Sequence, residues 1–436
     1  MNKKEALFYK NFGIKKNTVT AITGGGGKTS LMFCLAEELS KIGKVLVTTT
    51  TKIFVPDKNQ YENLFLINEN KKMKGTGKNI DVLGKKTENG KLLSPLEEDI
   101  LFLKKNYDYI IYEADGSKQK PMKFWRDDEP CILSCTDKII GVANIKVLEQ
   151  SFSEENIHRF NMYMNNNKLI PEKIISKEIF KDYLINGKFF QNSSEKMEKI
   201  LFLNGVENDN EIILAFDFAF EKEKFLFGSV QEKKIYKPRK ISAVVMGSGE
   251  AKRFGSNKLL EKINGVPMIE ILLQKLVQIP FKNIFVTYKD EEILKICQKY
   301  SVVPLKNEKY FMGQSESIKL GVSHTEDEDI IFFTGDMPFI TVETIKKIIS
   351  ISWKKNLITI PCAVGKRFSP VIFPNRYKGK LLELSGDTGG REIIKREAEL
   401  NFVEFENQAE FMDIDTKEEF ENVLIKEKGG KNVQFR

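Results

Sequence analysis

The sequence predicts two α/β domains with largely parallel sheets, one in each half of the chain. Strand-like and helix-like segments alternate along both halves, as they do when helices cover a parallel sheet. Each half also opens with an apolar strand that leads directly into a glycine-rich loop. A chain of 436 residues can hold two or three domains of ordinary size. We place the domains at 1–235 and 236–436, because the charge-rich stretch 221–240 is typical of a linker.

The composition is that of an ordinary folded protein and excludes several classes of function. Hydrophobic residues make up 41% and charged residues 30% of the chain, which allows real cores to be buried. No apolar run reaches the roughly 18 residues of a membrane span, and the first residues lack the apolar core of a signal peptide. Five scattered cysteines do not make a disulfide framework. We therefore expect a cytoplasmic protein without membrane contact.

The charged and metal-binding residues narrow the partners further. The net charge of +8 comes from bases interleaved with acids, which favours a solvated lysine-rich surface, with attraction of nucleotides as the functional alternative. No stretch combines clustered arginines with aromatic residues, so we expect no nucleic-acid partner. The two histidines, His158 and His324, and the isolated pair Cys131 and Cys135 do not favour a metal centre or a hydrolase triad.

The first glycine-rich loop has the chemistry of a phosphate-binding turn. Four consecutive glycines, Gly24–Gly27, stand between a strand and a helix, and their backbone N–H groups can surround phosphate oxygens. Lys28 can then reach the outer phosphates, and the Thr29 hydroxyl can bind Mg²⁺. Ile22 stands where the full phosphate-loop pattern has a further glycine, so we expect a shortened, P-loop-like variant. The alternative is a tight turn followed by a surface lysine.

Two further strands should end beside this loop. The strand 44–47 leads into the hydroxyl cluster 48–51, and the strand 109–112 leads into Glu113 and Asp115. Open α/β sheets bind their ligands at the carboxyl ends of the strands. Two carboxylates there can hold Mg²⁺ or orient a water molecule. The alternative is a polar turn with Gly116 in its left-handed position.

Together these segments resemble the YqeC-type proteins, a family described as accessory factors of selenium-dependent molybdenum hydroxylases. The resemblance covers roughly residues 15–230 and rests on Gly-Gly-Lys-Thr-Ser at 26–30, Thr-Thr-Thr-Thr-Lys at 48–52, Glu113–Lys118, Pro121, Lys123, Glu129, Pro130, His158 and Arg159. It implies a nucleotide, ATP or a similar one, bound by Gly25, Gly26, Gly27, Lys28, Thr29, Glu113 and Asp115. It also implies transient contact with a molybdenum hydroxylase and help in selenium or cofactor handling.

The second glycine-rich loop predicts a triphosphate site. Gly247–Gly249 are small enough for a nucleotide to approach the backbone, and Arg253 and Lys258 supply fixed positive charge. The apolar run Asp329–Thr334 is typical of a buried central strand, and Asp336 follows its end, where Mg²⁺ would be held. For Asp336 taken by itself, the alternative is a turn residue before proline.

This half resembles the molybdenum cofactor cytidylyltransferases, the MocA-type members of the MobA-like nucleotidyltransferases. The resemblance covers 241–426 and rests on Arg253–Gly255, Lys258–Leu260, Gly265–Pro267, Gly313–Ser315, Ser317, Gly321, Gly335–Pro338, Ser369, Pro370, Gly386, Asp387, Gly389, Arg391 and Asp413–Thr416. The sequence departs from the family at Met246–Gly249, where Leu-Ala-Ala-Gly is usual, and this leaves the base preference open.

The resemblance implies a Rossmann-like fold of the nucleotide-diphospho-sugar transferase type. It implies transfer of CMP from CTP to molybdopterin, with release of pyrophosphate. The roles it implies are catalysis by Arg253, Lys258 and Asp336; Mg²⁺ binding by Asp336 and Asp415; nucleotide binding by Gly247, Ser248, Gly249, Gln314, Ser315 and Ser317; and acceptor binding by Ser369, Pro370 and Arg391.

Other functions stay open from the sequence. A nucleotidyltransferase for a sugar phosphate or another phosphorylated small molecule has the same pattern of glycine loop, lysine and Gly-Asp. A non-catalytic carrier would bind the finished cofactor and deliver it to a target enzyme. The N-terminal half is also compatible with an NTPase switch.

Overall fold

The chain forms two compact units, Met1–Lys237 and Pro238–Arg436. The computed structural model describes residues 7–67, 80–86, 90–162, 173–219, 224–249, 257–414 and 416–428. Among these residues, none of the helices has the length and apolar character needed to cross a bilayer.

The first unit is built on one large sheet, most of whose strand pairs are parallel. Its strands are β1 (Thr18–Gly24), β2 (Val45–Thr49), β3 (Ile53–Phe54), β4 (Asn63–Leu66), β5 (Ile80–Lys86), β6 (Lys91–Leu93), β7 (Tyr109–Glu113), β9 (Lys138–Asn144), β11 (Glu198–Asn204), β12 (Phe225–Ser229) and β13 (Lys234–Tyr236). A separate parallel pair joins β8 (Met122–Lys123) to β10 (Ile157–His158). The helices are α1 (Phe8–Asn11), α2 (Lys28–Ser40), α3 (Glu97–Lys104), α4 (Lys177–Asn186) and α5 (Asp209–Phe216).

The glycine-rich loop lies where the chain stops adding strands to one side of the sheet and begins to add them to the other. The order is β13-β12-β11-β9-β1-β7-β2-β5-β6-β3, with β4 on β5. From β1 the chain builds β2 and β7 on one side, and it then crosses to β9 and β11 on the other. The carboxyl end of β1 is therefore a topological switch point, where open α/β sheets leave a crevice for ligands. The predicted strand before the four glycines is confirmed as β1, and the predicted strands at 44–47 and 109–112 are confirmed with shifts of one or two residues.

The prediction of a linker at 221–240 is wrong for much of its length. Phe225–Ser229 and Lys234–Tyr236 are strands, and they form an antiparallel hairpin at the edge of the sheet. Within the hairpin, Glu232 and Lys233 lie in the turn and Lys234 begins the outer strand, whereas Lys237, Arg239 and Lys240 follow it. Lysines and glutamates are common on edge strands, because they discourage further pairing.

The second unit has a mixed sheet, which is less parallel than the sequence predicts. Its strands are β14 (Ile241–Met246), β15 (Lys262–Ile263), β16 (Val266–Pro267), β17 (Ile284–Tyr288), β18 (Val303–Lys306), β19 (Asp329–Thr334), β20 (Thr359–Ala363), β21 (Lys366–Arg367), β22 (Val371–Phe373) and β23 (Asn401–Phe405). The helices are α6 (Met268–Leu276), α7 (Glu291–Cys297), α8 (Gln314–Ser323), α9 (Val342–Ser352), α10 (Lys378–Leu382), α11 (Arg391–Arg396) and α12 (Lys417–Lys428).

The second glycine-rich loop also lies at a switch point. The sheet order is β18-β17-β14-β19-β22-β20-β21, with β23 on β20, and β15 pairs with β16 apart from it. Strand β14 is parallel to both of its neighbours, and the chain adds β17 and β18 on one side of it before it crosses to β19 on the other. Helix α8 packs against β14 through Gly321, where a Cβ atom would lie 2.5 Å from Cγ1 of Val244.

Gly321→Ala should therefore destabilise the second unit. The new methyl group would clash with the buried Val244, and overpacking of this kind costs about 1–3 kcal/mol. Gly379→Ala is the matched control, because no atom lies within 4 Å of its ideal Cβ position and alanine favours a helix. Urea unfolding followed by circular dichroism measures both. Equal urea midpoints for Gly321→Ala and Gly379→Ala would contradict the close packing of Gly321 against Val244.

Candidate functional site

The four glycines of the first loop are required by its shape. Gly24, Gly26 and Gly27 have φ values of 97°, 73° and 128°, in the region that favours glycine. A Cβ atom on Gly24 would lie 2.2 Å from the Val142 carbonyl oxygen, and one on Gly25 would lie 3.0 Å from the Pro121 oxygen. The backbone of this loop is therefore closely surrounded by other segments of the same chain.

Two asparagines that the sequence analysis did not single out hold the loop in place. Asn144 and Asn204 end β9 and β11, and each donates from Nδ2 to the Gly26 carbonyl oxygen at 3.0 Å. The Asn204 carbonyl oxygen in turn accepts from the Val230 backbone N–H. In the sequence, the only sign of this role is that each asparagine is a polar residue at the end of an apolar strand.

The structure brings the predicted Lys28, Thr29, Glu113 and Asp115 together. The Lys28 ammonium donates to the Gly24 carbonyl oxygen at 2.7 Å and lies 3.5 Å from Oε1 of Glu113 and 3.4 Å from Oδ1 of Asp115. Burial acts to lower the pKa of Lys28, but the two carboxylates prevail and the pKa is raised. Lys28 therefore stays charged, although its side chain is only 2% exposed.

Asp115 is surrounded by more hydrogen-bond donors than Glu113. Asp115 is fully buried and accepts from the Gly24 N–H, from Trp125 Nε1 at 2.5 Å and from the Lys123 ammonium at 3.1 Å. Glu113 accepts from the Thr29 hydroxyl at 2.8 Å. The Thr29 hydroxyl in the first turn of α2 and the Glu113 carboxylate at the end of β7 are a donor set that fits a divalent cation.

A second layer of charges lies behind Asp115. Glu129 accepts from Lys123 at 3.2 Å and from both terminal nitrogens of Arg159. Burial acts to raise the pKa of Glu129, but Arg159 and Lys123 bring it down to about 2. Burial, with the charges of Arg159 and Lys123, lowers the pKa of His158 to about 4, so this histidine is neutral at pH 7.

Arg159→Met should lower the stability of the first unit at pH 7. The low pKa of Glu129 stabilises the folded state above the unfolded pKa of 4.5, and that contribution is lost as the pH falls towards about 2. The difference between wild type and variant should therefore narrow below pH 4.5, which urea unfolding at pH 7, 5, 4 and 3 measures. Lys177→Met, which removes an exposed ion pair with Asp217, is the control. A difference that stays constant with pH would contradict this assignment.

In the second unit, the predicted Ser248 and Ser317 form a buried triangle with Asn307, which the sequence analysis missed. The two hydroxyl oxygens lie 2.7 Å apart, and Asn307 Nδ2 donates to them at 3.0 and 3.1 Å. Asn307 can donate one hydrogen to each serine, and one serine can donate to the other. The remaining hydroxyl hydrogen has no acceptor within the triangle.

Lys258 and Asp336 form the charged part of the second site. The Lys258 ammonium lies 2.5 Å from Oδ2 of Asp336. The other carboxylate oxygen, Oδ1, is buried and has no hydrogen-bond partner among the described residues. Buried polar atoms are rarely left without a partner, and such a carboxylate oxygen beside a lysine and a glycine-rich loop fits a cation. Leu259 positions Lys258 by packing against Gly335.

The remaining nucleotide-site predictions meet at the start of α8. The Gln314 N–H donates to Asp387 Oδ1, and the Ser315 N–H donates to the Gly386 carbonyl oxygen. The Ser315 hydroxyl is buried and has no partner among the described residues. The loop that begins at Gly386 ends at the exposed Arg391, the first residue of α11.

Other predicted residues are less connected to this site. Ser369 and Pro370, joined by a cis peptide bond, precede β22. Arg253 and Asp415 lie outside the described residues. Among the described residues, the one group of three or more side chains with metal-binding geometry is Glu326–Glu328, which Lys282 contacts and which contains neither Cys131 nor Cys135.

The fold and the two sites define the class of protein. Both units are α/β units with a glycine-rich loop at the switch point of the sheet, and the loop faces a lysine and a buried carboxylate. Residues 20–161 match the family model of the YqeC protein, and residues 243–400 match that of the MobA-like NTP transferase domain. The chain is therefore a fusion of a YqeC domain with a MobA-like NTP transferase domain, which confirms both resemblances at this level.

Individual relatives agree with this division. The YqeC protein of Escherichia coli (strain K12) is 32% identical over 165 residues, 36% of this chain and 64% of its own length. A protein of Natranaerobius thermophilus named "Probable molybdenum cofactor guanylyltransferase" is 28% identical over 131 residues, 30% of this chain and 64% of its own. The chain thus spans 64% of each of these two relatives.

Solved structures resemble part of the chain. Rv0371c from Mycobacterium tuberculosis H37Rv superposes with a TM-score of 0.38 at 18% identity, over 43% of this chain and 98% of that one. A nucleotidyl transferase from Methanothermobacter thermautotroptrophicus gives a TM-score of 0.39 at 18% identity, over 43% and 96%.

Proposed function

We propose that the C-terminal unit transfers a nucleotidyl group from a nucleoside triphosphate to molybdopterin, with CTP as the donor. The observation that carries the proposal is Oδ1 of Asp336, which is buried without a hydrogen-bond partner among the described residues and lies beside Lys258 in a domain of the MobA-like NTP transferase family. The membership of this family makes nucleotidyl transfer the expected reaction class.

The reaction needs no nucleophile from the protein. An oxygen of the terminal phosphate of the acceptor attacks the α-phosphorus, the bond from that phosphorus to the bridging oxygen of the β-phosphate breaks, and pyrophosphate leaves. Catalysis of this kind consists mainly of positioning and of neutralising charge. Asp336, with Asp415 by resemblance, would hold Mg²⁺, which when bound neutralises phosphate charge. Lys258 and Arg253 would supply fixed positive charge to the same phosphates.

The donor base is proposed from the resemblance and has a second candidate. The hydroxyls of Ser248, Ser315 and Ser317, the Gln314 amide and the loop of Gly247 and Gly249 would contact the base and ribose. Hydroxyls both donate and accept hydrogen bonds, so they suit more than one base. GTP is the second candidate donor, because several relatives are named molybdenum cofactor guanylyltransferase. Ser369, Pro370 and Arg391 would face the acceptor.

The full chain, given molybdopterin and each nucleoside triphosphate in turn, should release pyrophosphate fastest with CTP. Asp336→Asn should reduce that release at least about a hundredfold, since the cation and the phosphates lose their charged anchor. Glu383→Gln, a change at an exposed carboxylate of the same unit, is the control. A preference for GTP would replace the cytidylyl proposal with the guanylyl one. Binding of molybdopterin without pyrophosphate release from any donor would favour the carrier.

We also propose that the N-terminal unit binds ATP or a similar nucleotide and assists maturation of a molybdenum hydroxylase, its transient partner. Support comes from Gly25, Gly26 and Gly27 at the switch point, the buried Lys28, and the Thr29–Glu113 pair that fits Mg²⁺. A selenium-related role rests on the family resemblance alone.

Lys28→Met should weaken binding of Mg-ATP to this unit at least about tenfold, because the phosphates lose their buried cation. The chain has two tryptophans, so a Trp353→Phe background leaves Trp125, which contacts Asp115, as the sole reporter of this site. Fluorescence titration of the full chain measures the dissociation constant. Lys188→Met, at an exposed ion pair with Asp127, is the control. Equal affinities of Lys28→Met and wild type would contradict nucleotide binding at this loop.

A further inference from the structure

Asp115 is shared by two buried lysines. Lys28 lies 3.4 Å from its Oδ1 and Lys123 lies 3.1 Å from its Oδ2. The Lys28 side chain is 2% exposed, and those of Lys123 and Asp115 are fully buried. Each oxygen of Asp115 therefore has its own buried cation, and Lys123 gives Asp115 a partner that does not depend on Lys28.

The position of Lys28 shows what the second lysine can do. The Lys28 ammonium turns back into its own loop, where it donates to the Gly24 carbonyl oxygen and faces Glu113 and Asp115. To bind a phosphate, this ammonium has to leave both carboxylates. A buried charge that loses its only partner is strongly destabilised, by several kcal/mol in typical cases. An Asp115 paired with Lys28 alone would therefore resist the movement.

We propose that Lys123 is a positioning residue that keeps Asp115 neutralised when Lys28 moves to an incoming phosphate group. The inference rests on the proposed binding of a nucleotide by this unit. Asp115 then serves as a fixed anchor for the Gly24 N–H and Trp125, whereas Glu113, the other carboxylate that Lys28 leaves, is the one that faces the proposed cation.

Lys123 is held where this role requires it. Its ammonium also donates to the Gly116 carbonyl oxygen at 2.8 Å and lies 3.2 Å from Glu129, which Arg159 engages in turn. These contacts do not involve Lys28, so they persist when Lys28 departs. Burial lowers the pKa of Lys123, and the Lys28 charge acts in the same direction, whereas Asp115 and Glu129 act against it. Departure of Lys28 therefore favours the charged form of Lys123.

The charges around the loop balance in both states. Three cations, Lys28, Lys123 and Arg159, stand with three carboxylates, Glu113, Asp115 and Glu129. When Lys28 pairs with phosphate, Lys123 remains for Asp115, Arg159 remains for Glu129, and the proposed divalent cation takes the place of Lys28 at Glu113.

The test is a set of Mg-ATP titrations of the full chain in the Trp353→Phe background. Lys123→Met should raise the dissociation constant at least about tenfold, because Asp115 then retains Lys28. Lys123→Arg keeps the charge and should lose much less affinity for Mg-ATP than Lys123→Met. Adding Asp115→Asn to Lys123→Met removes the charge that retains Lys28, and it should recover much of the lost affinity. Lys188→Met is again the control, and circular dichroism checks that each variant is folded.

The outcomes separate this inference from the proposed function. Failure of the parent chain to bind any nucleoside triphosphate would overturn both. Binding by the parent, with an unchanged dissociation constant for Lys123→Met, would overturn the positioning role and leave nucleotide binding intact. If Lys123→Met does not fold, the double variant decides: affinity as weak as that of Lys28→Met would overturn the proposal, and affinity well above that level would support it.

Discussion

In each unit, a buried carboxylate holds a lysine at the point where the sheet reverses its strand order. Lys28 faces Glu113 and Asp115 in the first unit, and Lys258 faces Asp336 in the second. Removing Lys28 alone would take this cation from the buried Glu113, whereas Asp115 would keep Lys123 as its partner. A phosphate group can substitute for a carboxylate as the partner of such a lysine, and a cation can substitute for the lysine. Each site therefore contains a charged group that can exchange one charged partner for another.

The two sites differ in what they leave unsatisfied. Around the first loop, Asn144 and Asn204 cap the Gly26 carbonyl, and the oxygens of Asp115 are fully engaged. In the second site, Oδ1 of Asp336 and the hydroxyl of Ser315 are buried without partners among the described residues. Unpartnered buried groups cost free energy that a ligand can recover. A ligand at the first site would therefore have to replace existing contacts. A ligand at the second site could form new contacts with the unpartnered groups.

The sequence predicts those parts of the fold that depend on local pattern. Apolar runs located β1, β7, β14 and β19, and glycine with lysine at the strand ends located both loops. The charged residues wrongly indicated a linker at Lys234–Tyr236, because an edge strand accepts the same charged residues as a linker.

The residues that complete the sites are set by contacts that sequence spacing does not encode. Asn144 and Asn204 reach Gly26 across 118 and 178 residues, and Asn307 reaches Ser248 across 59. A single asparagine after a strand has many ordinary uses, so only the folded topology shows which one meets the loop. The same holds for Trp125, whose indole N–H meets Asp115 inside the core.

The occupancy of Asp115 also limits what the first site can do chemically. A carboxylate offers about four lone-pair directions, and the Gly24 N–H, Lys28, Lys123 and Trp125 supply four donors to this one. When Lys28 departs, three donors still hold it, which leaves little capacity to accept a proton or to orient water. Glu113, which has the Thr29 hydroxyl as its neutral partner, is then the carboxylate exposed to the phosphates. Of the two carboxylates, Glu113 is therefore the one with capacity left for a cation or another ligand.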